Sequence, residues 1–259
     1  INVGLVGSEM CIRDRAYREW SAMYQAGELN AVQSQFFEPR EAEALYDIEK
    51  DPHETNNLAD DPKSASVLRD LRQRLTNQVK EISDLSFLPE PAMLSEALSN
   101  PVQFGRENQD RIGKLVDTAN LSLLPFAKAK SGIAKAFKSN DPWVRYWGAI
   151  VCSSFGKEAS SFTETAKNLV KNDADNLVRV RAAEFLALIG AVKPQNAIYL
   201  SLKNAESEVE ANLILNTVAL LQDGQPGYEF NINLGIFPKQ WRSNVRGNVS
   251  RRLAYFTGE

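Results

Sequence analysis

Few residues of this chain have chemistry that reaches beyond packing. Cys152 lies in the apolar helical run GAIVCSSFG with no histidine nearby. A nucleophilic thiol needs a base or a cation to hold its thiolate, so Cys152 reads as a buried structural thiol. His53, the single histidine, stands in the polar turn HETNN, where a solvated turn residue is expected rather than a substrate contact. Trp143, Tyr146 and Trp147 share helical spacing and are expected to pack between helices rather than to form a sugar-stacking platform. Residues 28–62 hold ten carboxylates against Arg40 and Lys50. They lack the spaced D-x-[DN]-x-[DN]-G ligand loop, so a solvated face is expected there rather than a calcium site. The stretch 238–259 carries five basic residues and one acid. Within it Arg242, Arg246 and Arg251 are the candidate contacts to a polyanionic substrate, because guanidinium forks match oxyanions; a wet face on a closing helix is the simpler reading.

The elements that position these residues belong to an ordinary globular chain of 259 residues, with 43% hydrophobic and 24% charged side chains. That composition argues against disorder. A net charge of −3 does not favour nucleic acid as a partner. Apolar runs fall short of a membrane span. Two cysteines and one histidine exclude a disulfide framework and a His-rich zinc cluster.

Residues 1–15 are set apart. The string LVGSEMCIRDR (5–15) resembles, over eleven consecutive residues, the translation of a transposase adapter used to prepare sequencing libraries. The expectation is that 1–15 form an artefactual leader and that the protein continues upstream of Ala16. Tyr17, Trp20, Met23 and Tyr24 mark one face of a short helix ended by Gly27, and a second short helix covers 30–37. Ala44–Ile48 reads as a strand whose sheet partners lie in other sequence. Asp51-Pro52 and Asp61-Pro62 bracket a polar turn. Val67, Leu68, Leu71, Leu75, Val79 and Ile82 then recur at helical spacing, with Arg69, Arg72, Arg74 and Lys80 on the wet side. The prolines of FLPEPAML (87–94) mark a boundary.

Beyond it the chain repeats. Asp141-Pro-Trp-Val-Arg-Tyr-Trp-Gly-Ala aligns with Asp175-Asn-Leu-Val-Arg-Val-Arg-Ala-Ala, and more weakly with Glu206-Ser-Glu-Val-Glu-Ala-Asn-Leu-Ile, at offsets of 34 and 31 residues. That is the size of one helical hairpin. Each copy begins with an acidic cap, and Pro142 suits a first helical position. Glu210 stands where Arg145 and Arg179 stand in the other copies, so an Asp–Arg ladder between repeats should stop there. QDGQPGYEFNINLGIFP reads as a long polar joint before a last helix over 246–256.

Two resemblances follow from these strings. The D-x-x-V-R-x-x-A-A pattern resembles HEAT-type repeats. The segment EALYDIEKDPHETNNLADDP resembles the C-terminal signature of type I sulfatases, in a branch related to N-sulfoglucosamine sulfohydrolase; the matching positions are Leu45, Tyr46, Asp47, Asp51, Pro52, Glu54, Asn57 and Leu58. The fold this implies is mostly α: a remnant of the sulfatase α/β C-terminal subdomain over 16–92, then a HEAT-like helical array over 93–258. The family implies hydrolysis of sulfate esters or sulfamates, commonly on sugars, by a formylglycine made from a C/S-x-P-x-R motif, with a calcium ion holding sulfate. This chain contains no such motif; Cys11-Ile-Arg-Asp-Arg15 lacks the proline. The resemblance thus makes it a C-terminal part, inactive alone. Its implied partners are its own catalytic domain and a sulfated carbohydrate, with the repeats offering an oligomer contact. A periplasmic or extracellular location is implied too. The competing reading is a helical-repeat protein-interaction module without catalysis.

Overall fold

The computed structural model describes residues 15–38, 40–224, 226–244 and 247–257. The adapter-like stretch up to residue 14 lies outside them, as does Arg246. The protein is mostly α: helix makes up 68% of the structure, and the described residues include no strand. They form two compact units, one ending at Asp70 and one beginning at Leu71, each described by itself.

The first unit opens with α1 (Arg15–Gln25) and α2 (Ala31–Ser34). Asn30 and Gln33 cap α2 reciprocally, each side chain accepting from the other's backbone N–H. The aromatic face read from the sequence packs on Phe36 and Phe37. Trp20 lies 4.8 Å from both rings, and Tyr24 stacks on Phe37 at 4.7 Å. No described residue of this unit is buried. The expected strand at 44–48 pairs in no ladder among the described residues, and Ile48 already belongs to a turn. Its polar groups are met locally instead: the Leu45 carbonyl accepts from Leu58 N–H at 2.7 Å, and Leu45 N–H donates to the Asn57 side chain at 2.9 Å.

Helix α3 (Ala65–Glu81) has the predicted stripe, but Val67, Leu71, Leu75 and, just past its end, Ile82 are 45–65% exposed. A periodic apolar face states what a helix can bury, not that a partner is present. The helix closes on Ser83 in the left-handed region (φ 51°), with Ser83 N–H on the Lys80 carbonyl and Asp84 N–H on that of Val79. This is a Schellman ending made without glycine.

The second unit continues through α4 (Pro101–Glu107), α5 (Gln109–Ala119), α6 (Phe126–Ala136), α7 (Pro142–Phe155), α8 (Thr163–Asn172), α9 (Asn176–Leu188), α10 (Gln195–Lys203), α11 (Glu208–Asp223), α12 (Lys239–Ser243) and α13 (Asn248–Thr257). Helices α5, α7, α9 and α11 pack side by side in one layer, with α6, α8 and α10 stacked on them. Asp141, Asp175 and Ser207 cap α7, α9 and α11 through side-chain bonds to backbone N–H groups. The core runs through both layers: Ile133, Cys152, Val178, Phe185, Ile198, Ile214 and Val218 are completely buried. Gly148 lets α6 approach, since a Cβ there would meet Ala136 and Phe137 at 3.2 Å.

The FLPEPAML segment, read above as a boundary, lies within this unit. Leu88, Ala92 and Ala97 are 4%, 4% and 0% exposed. The Phe87 ring sits 5.5 Å from that of Trp147, whose indole N–H donates to the Phe87 carbonyl at 2.8 Å. Residues 85–97 form a strap over the layer that contains α7.

Candidate functional site

The signature residues of the first unit close on one another. Asp51 Oδ2 accepts from the N–H groups of Thr55 and Asn56, each at 2.8 Å. Those bonds hold the Asp51 carboxyl below its ordinary pKa. Asp47 is lowered too, by Lys50 at 2.6 Å. Asn57 is the knot: its Oδ1 accepts from Leu45 and Ala59, and its Nδ2 donates to Glu41 at 3.0 Å. Glu54 sits at φ 52°, in the left-handed region. Tyr46 is half-buried, while Pro52, His53 and Glu54 face solvent. The structure thus joins Leu45, Asp51, Asn57 and Leu58 into a clip stabilised by side-chain-to-backbone bonds. These are geometric roles, and none presents a nucleophile paired with a base.

In the second unit the repeat carries an arginine ladder. Arg111 and Arg145 occupy equivalent positions 34 residues apart. Arg111 holds Asp141 at 2.8 Å and Glu96 of the strap at 2.6 Å. Arg145 forks onto Asp173 at 2.7 and 2.8 Å. Asp141, and then Asp173 with lesser help from Asp175, hold these two guanidiniums charged against burial. Arg179 bonds instead to the carbonyls of Asp173 and Ala174 and to Asn176. Glu210 accepts from Asn176 at 2.6 Å. Among the described residues the Asp–Arg alternation therefore stops at Arg179, one copy before the position where the sequence replaces Arg with Glu.

A buried polar cluster was not read from the sequence. Arg181 lies 2.6 Å from Glu184, and its Nε and Nη2 both donate to the Tyr146 hydroxyl at 3.1 Å. Thr217 donates to the same Glu184 oxygen at 2.7 Å. Burial opposes the Arg181 charge, but Glu184 and Tyr146 outweigh it and raise its pKa. The signal was present: Arg181 and Glu184 interrupt the apolar helix LVRVRAAEFLAL, and Arg181 stands 34 positions after Trp147. Arg181, Glu184, Tyr146 and Thr217 all bond within this cluster, which suits a specifying core network better than a reactive site.

The remaining candidates fall into place singly. Cys152 is completely buried, and burial alone pushes its thiol up to about 12. Trp143 and Tyr146 are buried, and Trp147 packs on the strap. Arg242 on α12 and Arg251 on α13 are exposed on two helices that touch, while Arg246 lies outside the described residues. Among the described residues no three His, Cys, Asp or Glu side chains converge as a metal-binding group. No described helix is long and apolar enough to cross a membrane. Comparison with protein-family models, with curated proteins and with solved structures gave no match to this chain.

Proposed function

We propose that this chain is the C-terminal portion of a type I sulfatase, whose upstream catalytic domain hydrolyses sulfate esters or sulfamates on glycans. The portion itself does no chemistry; it completes the catalytic domain's small sheet and appends a helical array. The observation that carries the reading is the Leu45–Ala59 clip. Its bonds use residues of the EALYDIEKDPHETNNLADDP string, yet no described residue of its unit is buried. A tightly specified turn with no core of its own is what a subdomain remnant would present when its remaining strands belong to other sequence. The exposed stripe of α3 fits the same view. Formylglycine and calcium belong, in this reading, to the upstream domain, and the location is periplasmic or extracellular.

The test is to express the chain with its upstream reading frame restored and to assay an aryl sulfate and an N-sulfated glucosamine. Turnover by the restored protein and none by residues 16–259 alone is the expected result. Turnover by the chain alone would overturn it.

A further inference from the structure

The strap lies on the helical layer as a bound segment would. It runs through a 3-10 turn (Leu85–Phe87), one α turn (Glu90–Ala92) and a π turn (Met93–Ala97). A segment governed by its own propensity keeps one pitch, whereas this one changes pitch to follow the surface beneath it. Its backbone bonds are local, Leu88 N–H to the Leu85 carbonyl and Met93 N–H to that of Pro89. Among the described residues, the hydrogen bonds that tie it to the helices come from three side chains. The Trp147 indole N–H donates to the Phe87 carbonyl at 2.8 Å. One turn earlier on the same face of α7, the Trp143 indole N–H donates to Glu96 Oε1 at 3.3 Å, and Arg111 of α5 donates to Glu96 Oε2 at 2.6 Å. Between these anchors Leu88 and Ala92 are buried, Met93 packs on the core, and Glu90–Ala92 touch α11. The helices thus supply the donors, and the strap supplies one carbonyl and one carboxylate.

We infer that the face under the strap, built by α5, α7 and α11, is a receptor for a linear acidic segment of a partner protein, and that residues 85–97 occupy it in cis as the competing resident. The contacts that hold the strap state the partner's chemistry. The Trp147 indole N–H suits a main-chain carbonyl, and its ring takes an aromatic side chain, as it takes Phe87 at 5.5 Å. The Arg111–Trp143 pair selects a carboxylate nine residues further on. The partner segment therefore carries an aromatic residue and a leucine ahead of a proline, then an acid at that spacing. The turn that joins the strap to α4 is exposed, with Leu98 at 59%, so the strap can leave without moving that helix. A tethered resident competes at high effective concentration, which keeps the face shut in the resting chain and admits only a partner that binds more tightly. The inference does not depend on the sulfatase reading and stands or falls separately from it.

The experiment uses the full chain and a labelled peptide that copies residues 84–98. In the chain, Phe87→Ser loosens the strap at one end and Glu96→Gln at the other, leaving Arg111, Trp143 and Trp147 in place. Each loosened chain is expected to bind the peptide roughly tenfold more tightly than the unaltered chain does, because its own strap competes less. Peptides carrying Phe87→Ala or Glu96→Gln should bind a loosened chain roughly tenfold more weakly. The unaltered chain supplies a reading that does not depend on a variant folding. Excess peptide should speed hydrogen exchange at the Leu88 and Met93 amides while leaving Val151 and Cys152 of α7 unchanged. Exchange at Leu88 and Met93 that the peptide never accelerates would overturn the proposal, because the strap would then be a fixed part of the core. Binding indifferent to Phe87→Ala and Glu96→Gln in the peptide would overturn it as well. So would dimers of the unaltered chain that exchange straps, since the occupant would then be a second copy.

Discussion

Asn57 makes three hydrogen bonds through one exposed amide, which concentrates the order of the first unit in a single side chain. Replacing it with alanine is expected to speed exchange of the Leu45 amide about tenfold, since each such bond contributes on the order of 1 kcal/mol. Unchanged exchange at Leu45 would remove the clip from the account. Asp51 supplies a pH signature. Its folded pKa lies below 3.8 because Thr55 and Asn56 donate to the ionised carboxylate. The turn's bonds are therefore fully present above the unfolded value and fade as pH falls through the lower, folded one. Amide shifts of Thr55 and Asn56 should titrate together with a midpoint under 3.8; a midpoint at or above it would contradict the geometry. Cys152, with its thiol near 12 and no exposed surface, should resist thiol reagents until the array unfolds. The inertness of Cys152 and the solvation of His53 were legible in their neighbours. The role of Asn57 was not, because a hydrogen bond to a backbone twelve residues away leaves no local pattern.

The helices differ in what the arginines hold, and stability should follow that difference. Arg145 forks onto an Asp173 side chain that is only 3% exposed. Breaking the pair by Asp173→Ala should cost about 3–5 kcal/mol in urea unfolding, because it leaves a partly buried charge unmatched. Arg179 bonds neutral carbonyls and an asparagine, and Arg179→Met should cost about 1 kcal/mol. Equal losses would mean that the ladder is not what orders the repeats. The repeat register could be read in advance, since offsets of 34 residues place equivalent side chains on equivalent faces; the ladder stops one copy earlier than Glu210 suggested, because Arg179 meets carbonyls and Asn176 in place of a carboxylate. Two elements escaped that reading for opposite reasons. The 228–236 joint, read as polar, packs Phe230, Ile232, Leu234 and Ile236 on the core and closes in a 3-10 turn at 234–236. The 44–48 segment had strand composition, but its neighbours supply Asn57 and Leu58 rather than a strand.

At the scale of the molecule, the two units are built on different principles. The second has a continuous core through both helical layers, with the strap folded into it. The first has an aromatic cluster and a clip, and none of its described residues is buried. Limited proteolysis should therefore cut before Asp70 and spare residues 85–97, despite the two prolines there; early cleavage in the strap would deny its packing. That packing was not legible because the prolines announce only a break in helix, whereas burial of Leu88 and Ala92 depends on a surface assembled from helices much later in the chain. The proposed function turns on the first unit, whose described residues form a clip without a buried core. Sequencing the genomic locus upstream of the Ala16 codon tests this most directly. The account predicts an open reading frame that runs back through a C/S-x-P-x-R motif with paired aspartates before it. A start codon directly before Ile1, with the adapter-like stretch present in native DNA, would contradict it.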